Sequence, residues 1–128
     1  MSLLFDTHTF LWWATEPTRL SDAAHRALSS DANATFLSVV VLWEIQIKVQ
    51  IGKLSLTMPL SDLVNEQCAA NGFVVLPVEP RHVYALDALP LHHRDPFDRL
   101  LLAQAEADGL TLVSRDGAFS PYGVSTLW

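Results

Sequence analysis

The hydrophobic pattern opens with Leu3-Leu4-Phe5, a short run that is apolar at every position and stops abruptly at Asp6-Thr7. Such a run predicts a strand buried on both faces of a parallel sheet, delivering an acid at its carboxyl end. A helix is expected over residues 8–14. Ser21-Asp22 caps a second helix through Leu28, and Thr35-Phe36-Leu37 predicts the next strand.

Residues 39–51 carry conflicting signals. Glu44 to Ile51 alternates polar and apolar with the period of a strand. A helix capped by Ser38 is the other reading, but it is apolar around much of its circumference and requires burial on two sides or a partner. The helix is preferred, in part on the family resemblance described below.

Residues 52–59 predict a loop, residues 60–71 a helix stopped by Gly72, and Phe73-Val74-Val75-Leu76 a strand. Pro80 begins a helix with Val83, Leu86 and Leu89 on one face, ending before Pro90; a loop then runs to Asp95. The clearest helix start is Asp95-Pro96-Phe97-Asp98: Asp95 as N-cap, Pro96 at the first helical position and Asp98 in the first turn. That helix runs to about Asp108 and ends at Gly109. Leu110-Thr111-Leu112-Val113 follows as a strand, Ser114-Arg115-Asp116-Gly117 as a turn, and Val124-Ser125-Thr126-Leu127 as a last strand. Alternating helices and short apolar strands imply an α/β fold, a parallel sheet between helical layers.

The chain of 128 residues fits one domain spanning 1–128, able to bury roughly two-thirds of its unfolded surface without disulfides. Half of the residues are hydrophobic and 17% are charged, which excludes a long disordered segment. Cys68 is the one cysteine, so neither an intrachain disulfide nor a cysteine-based zinc site is available. The start has no basic region before Asp6, and no apolar run reaches membrane-spanning length. A soluble protein of a reducing prokaryotic cytoplasm, without a membrane partner, is expected.

The net charge of −6 opposes a broad nucleic-acid surface, because phosphate contacts come from clustered Lys and Arg. Six of the eight basic residues are nevertheless Arg, and three adjoin acids: Arg94 before Asp95, Arg99 after Asp98 and Arg115 before Asp116. Local positive groups can therefore flank an acidic centre. Ordinary surface pairing with neighbours is the competing explanation.

In an open parallel sheet, ligands collect beyond the carboxyl ends of the strands. Asp6 and Asp116 belong there, Asp98 lies one turn into a helix, and Glu44 follows the second strand closely, so folding is expected to bring the four together. Unit charges ~5 Å apart at an effective dielectric near 20 repel by roughly 3 kcal/mol per pair. Either the pKa values rise or a cation joins the acids, and all-oxygen ligands favour Mg²⁺, with Mn²⁺ as substitute. Such a site suits phosphodiester hydrolysis, with one metal and a carboxylate base or with two metals.

With these acids placed, the chain resembles the PIN-domain ribonucleases, and more closely the VapC-like toxins of type II toxin-antitoxin systems. The resemblance is carried by Leu4-Phe5-Asp6-Thr7-His8, by residues 42–48 around Glu44, by residues 93–105 around Asp95-Pro96-Phe97-Asp98-Arg99, and by Leu112-Val113-Ser114-Arg115-Asp116. It implies a three-layer α/β/α fold in which Asp6, Glu44, Asp98 and Asp116 are the metal-binding, catalytic acids. The resemblance also implies cleavage of structured RNA such as transfer or ribosomal RNA, inhibition by a cognate antitoxin protein, and a homodimer. The residues themselves put Asp95, Arg99, Arg115 and His8 forward as supporting groups.

Each residue has a plainer explanation. Asp6 and Asp95 suit N-caps, Asp98 suits a helix dipole, Asp116 suits a turn, and Glu44 suits an i,i+4 pair with Lys48. Only their joint pattern points to catalysis. His92-His93 has no helical His-x-x-x-His partner and does not make a zinc site. Trp12 and Trp13 cannot both face one core from a helix, so one is either packed sideways or exposed to stack on a base or meet a partner. The apolar excess of residues 39–51 fits a buried element or a dimer interface. Two other functions compete. A small-molecule phosphohydrolase or phosphoacceptor domain also places Asp after its first strand, but Asp6-Thr7-His8 lacks a second Asp two residues on. A catalytically silent binding module on the same fold would show loss of the acids, which this chain keeps.

Overall fold

The apolar run at the amino end forms β1 (Ser2–Phe5), and Leu3, Leu4 and Phe5 are wholly buried in the computed structural model, which describes residues 1–91 and 95–128. Burying each such side chain contributes about 1.5–3 kcal/mol, which favours the central place in a sheet covered on both faces. Neighbours are β2 (Ala34–Ser38) on one side and β4 (Thr111–Val113) on the other, both parallel, with Leu4 opposite Phe36 and Leu112. Outside them run β3 (Val74–Leu76) and β5 (Thr126–Leu127), giving the order β3-β2-β1-β4-β5 among the described residues. As an edge strand, β3 leaves Val74 and Val75 exposed, while Phe73 just before it packs edge-on against Phe5 at 5.0 Å.

Helices α1 (Thr7–Thr15), α2 (Asp22–Ser29), α3 (Val39–Gln50), α4 (Leu60–Asn71), α5 (Pro80–Ala85) and α6 (Pro96–Asp108) flank the sheet in a three-layer α/β/α arrangement, as expected from the alternation of elements. Short 3-10 turns cover Pro17–Arg19, Leu86–Ala88 and Gly117–Tyr122. Gly72 and Gly109 end α4 and α6 at φ of 72° and 65°, the left-handed conformation that glycine adopts without a Cβ clash.

The ambiguous segment is helical. The Ser38 hydroxyl oxygen accepts the Val40 N–H at 3.0 Å, capping α3, and the same hydroxyl donates to Gln104 Oε1 at 2.5 Å. Val40, Val41 and Ile45 are buried, whereas Trp43 keeps 58% of its surface exposed and meets Phe97 of α6 edge-on at 4.8 Å. A cap and a neighbouring helix thus overrule the two-residue alternation. Gln104, wholly buried, also donates to the Pro77 carbonyl at 3.2 Å and so joins α6 to the start of α3 and to the chain beyond β3.

The face expected on α5 is corrected. The helix stops at Ala85 and tightens into the 3-10 turn, leaving Val83 48% exposed, while His82 is fully buried. His82 Nδ1 accepts the Glu79 N–H at 3.0 Å, so its proton resides on Nε2, 2.9 Å from Asp108 Oδ2. With both ring nitrogens satisfied, the imidazole fills the interior and Val83 turns outward.

Asp108 also accepts two hydrogen bonds from Arg81, at 3.0 and 3.1 Å. These bonds foremost, then that of His82, hold its carboxyl below its ordinary value against the opposing effect of burial. A depressed folded pKa contributes stability that is complete above the usual Asp range and lost as pH falls through the folded value. Asp108→Asn is therefore expected to lower the urea midpoint at neutral pH, with the gap to the parent protein narrowing in strong acid. A gap independent of pH would contradict this role.

Candidate active site

The strand order reverses between β1 and β4, since the chain leaves β1 toward β2 and β3 and later returns to β4 and β5. The carboxyl ends of β1 and β4 therefore border the crevice where open α/β sheets place their ligands. A cavity of about 410 Å³ lies there, lined by Asp6, His8, Trp12, Arg115, Asp116 and Gly117.

Asp6 follows β1 and is only 6% exposed. Its Oδ1 accepts the Thr9 N–H at 2.8 Å, capping α1, and its Oδ2 accepts the Ser114 hydroxyl from the end of β4. Ser114 Oγ in turn accepts the Asp116 N–H at 3.0 Å. Asp116 is exposed, and its Oδ1 accepts the Ala118 N–H at 2.9 Å at the head of the 3-10 turn. One serine thereby links two acids that are remote in sequence.

Glu44 approaches through α3. Its Oε1 accepts the Thr7 hydroxyl at 2.5 Å, which ties it to the residue beside Asp6, and its Oε2 stands 3.5 Å from Lys48 Nζ. The i,i+4 pair expected from the sequence is therefore present alongside a tertiary contact. Asp98 is half-buried in the first turn of α6, which packs against α3. Asp95 is the expected N-cap, accepting the N–H groups of Phe97 at 2.9 Å and Asp98 at 3.2 Å. Arg99 donates to the Pro90 carbonyl at 2.8 Å.

The structure thus brings Asp6, Asp116, His8 and Arg115 to one cavity, with Glu44 one hydrogen bond from Asp6's neighbour. Glu44, Asp95, Asp98 and Arg99 are not among the described residues lining that cavity. His92, His93 and Arg94 lie outside the described residues. Thr7 and Ser114 stand in the stretches that carry the resemblance, but the sequence assigns neither hydroxyl the orienting role that the structure gives it.

Among the described residues, no three His, Cys, Asp or Glu side chains gather as a group able to hold a metal ion. The donor set nonetheless fits a hard cation. Asp6 and Asp116 offer carboxylate oxygens at one cavity, and Mg²⁺ binds through one or two carboxylates, keeping several waters and taking substrate phosphates as further ligands. Each carboxylate oxygen that accepts one hydrogen bond keeps a second lone pair.

Comparison with known proteins agrees with the fold. Residues 3–124 match the family model of the PIN domain. The chain is 28% identical over 116 residues to "Ribonuclease VapC22" of Mycobacterium tuberculosis (strain ATCC 25618 / H37Rv), spanning 90% of this chain and 87% of that protein. Among solved structures it is similar to VapBC2 from Rickettsia felis bound to a promoter DNA fragment, with a TM-score of 0.76 and 16% identity over 100% of this chain and 98% of the other. It is also similar to FitAcB from Neisseria gonorrhoeae, with a TM-score of 0.62 and 19% identity over 100% and 97% of the two chains. A member of the VapBC family of toxin-antitoxin systems, VapBC-5 from Mycobacterium tuberculosis, gives 0.61 and 16% over 98% and 95%. At these identities the structural likenesses establish the fold.

Removing the Ser114 hydroxyl leaves a buried carboxylate oxygen without its donor, a loss of about 1.5–3 kcal/mol for a hydrogen bond to a charged group. Ser114→Ala is expected to lower unfolding stability in urea by that order, while Ser114→Thr retains most of it. Equal stability of the alanine variant and the parent would show that the hydroxyl does not hold Asp6.

Proposed function

Because the chain belongs to the PIN domain family, we propose that it is a divalent-metal-dependent endoribonuclease that hydrolyses RNA phosphodiester bonds and serves as the toxin of a toxin-antitoxin pair. The observation that carries this reading is the convergence of Asp6 and Asp116 on one cavity at the switch point of the sheet. Likeness to a protein named a ribonuclease, and to a member of a toxin-antitoxin family, supports the substrate and the toxin role.

Asp6 and Asp116 would hold Mg²⁺, or Mn²⁺ in its place; Glu44, tied to Thr7 beside Asp6, and Asp98 in the first turn of α6 are the further acids of the proposal, set back from that cavity. When bound, the ion supplies Lewis acidity toward the phosphate and acidifies a water for in-line attack. Asp6 is the fixed member, its two oxygens oriented by the Thr9 N–H and the Ser114 hydroxyl. Glu44 is steadied by Thr7 and Lys48 and is suited to accept a proton near Asp6. Arg115 on the cavity wall attracts the phosphate, and His8 faces the same space as a substrate contact. Asp95 sets the first turn of α6 and with it Asp98, and Arg99 buttresses that turn on Pro90. A cognate antitoxin, a homodimer and a cytoplasmic setting complete the proposal. Among the described residues no helix is long and apolar enough to cross a membrane.

Asn caps a helix as well as Asp does, so Asp6→Asn leaves the start of α1 intact while removing the charge. Incubated with transfer or ribosomal RNA in Mg²⁺, the parent protein is expected to yield discrete fragments, and Asp6→Asn and Asp116→Asn none above background. EDTA should abolish cleavage and added Mn²⁺ restore it. Undiminished cutting by either variant, or in EDTA, would overturn the mechanism.

A further inference from the structure

The pair Trp12-Trp13 divides its work. Trp13 donates its indole N–H to Gln67 Oε1 at 3.1 Å and packs edge-on against Phe73 at 5.6 Å, holding α1 to α4 and the sheet. Trp12 is half-buried and lines the cavity of Asp6 and Asp116. It also lines a second cavity of about 840 Å³ between α1, the segment after α3, and α4. The His8 ring lies 5.8 Å from that of Trp12 at a tilt of 39°, and the Arg19 guanidinium lies 5.1 Å from the Trp12 ring centre. An aromatic surface therefore begins at the acids and leads into the larger groove.

Charge follows the same path. The chain has eight basic residues and a net charge of −6, yet Arg19, Lys48 and Lys53 line the groove and Arg115 lines the acid cavity. Half of the basic residues thus line two cavities that share His8 and Trp12. Glu16 and Glu66 also line the larger one, Glu16 in an exposed pair with Arg19 at 3.7 Å. Cations beside an aromatic face, next to a site for phosphate, match what a single strand needs: backbone phosphates against positive groups and a base against a ring.

Resting on the nuclease reading above, we propose that Trp12, with His8 beside it, is a stacking platform for an unpaired base flanking the scissile phosphate, and that Arg19, Lys48 and Lys53 guide the adjoining backbone. A continuous duplex cannot offer that base without extruding it.

The test compares binding of a short single-stranded oligoribonucleotide with that of an abasic ribose-phosphate oligomer of equal length, by fluorescence anisotropy in EDTA so that hydrolysis plays no part. The parent protein is expected to prefer the intact RNA by about ten-fold to a hundred-fold, the range of one base stacked on an aromatic ring. Trp12→Leu, which keeps apolar bulk but no ring face, should lose most of that preference, whereas Trp12→Phe should keep it. Thermal unfolding of both variants identifies any loss of fold, and Trp12→Phe, with its ring retained, decides the matter if the leucine variant fails to fold. No preference in the parent protein, full preference in folded Trp12→Leu, or its loss in folded Trp12→Phe would overturn the platform. Absence of RNA cleavage in Mg²⁺ with the preference intact would instead strike the hydrolysis and spare the platform.

Discussion

The structure is organised by the burial of one carboxylate at the end of its central strand. An ionised acid only 6% exposed is costly unless hydrogen-bond donors replace water, and Asp6 takes them from the first turn of α1 and from Ser114 beyond β4. The requirement ties the chain's first strand to its fourth across a sequence separation of 108 residues. It also fixes the orientation of Asp6 before any ligand arrives. Because the same serine oxygen accepts the Asp116 N–H, the second acid of the crevice is registered against the first.

This arrangement reconciles helix capping with catalysis, which compete as explanations of the same residues. Asp6, Asp95 and Asp116 all accept backbone N–H groups at the start of a helix or turn. Capping uses a single oxygen, Oδ1, in each case and leaves acceptor directions on the other for a hydroxyl, a cation or a water. The cap positions the carboxylate; it does not consume it. On the proposed nuclease reading, an acidic chain approaches RNA by the same logic, with Arg115, Arg19, Lys48 and Lys53 beside the acidic centre.

Much of this was legible in the sequence, where local rules act alone. Leu3-Leu4-Phe5 before Asp6, the Asp95-Pro96 start and the glycine stops marked elements that the structure retains, with ends shifted by a residue or a few. The helix of residues 39–50 was legible only through its cap and the family resemblance, because its decisive partners, Gln104 and Phe97, lie more than fifty positions away. The face expected on α5 failed for a related reason. Counting apolar spacing cannot reveal that His82 finds both its hydrogen-bond partners and belongs inside. The contacts of Thr7 and Ser114 were not legible, because their hydroxyls meet the acids only once the strand order sets β4 beside β1 and α3 packs near α1.

The central claim is that the acids at the ends of β1 and β4 share a divalent cation, and anomalous diffraction from crystals grown with Mn²⁺ tests it most directly. The expected result is a strong manganese peak within coordinating distance of both Asp6 and Asp116, absent from crystals of the Asp6→Asn protein. A map with no peak in that crevice at saturating Mn²⁺, or with the ion held elsewhere while both carboxylates face only their backbone donors, would contradict the claim.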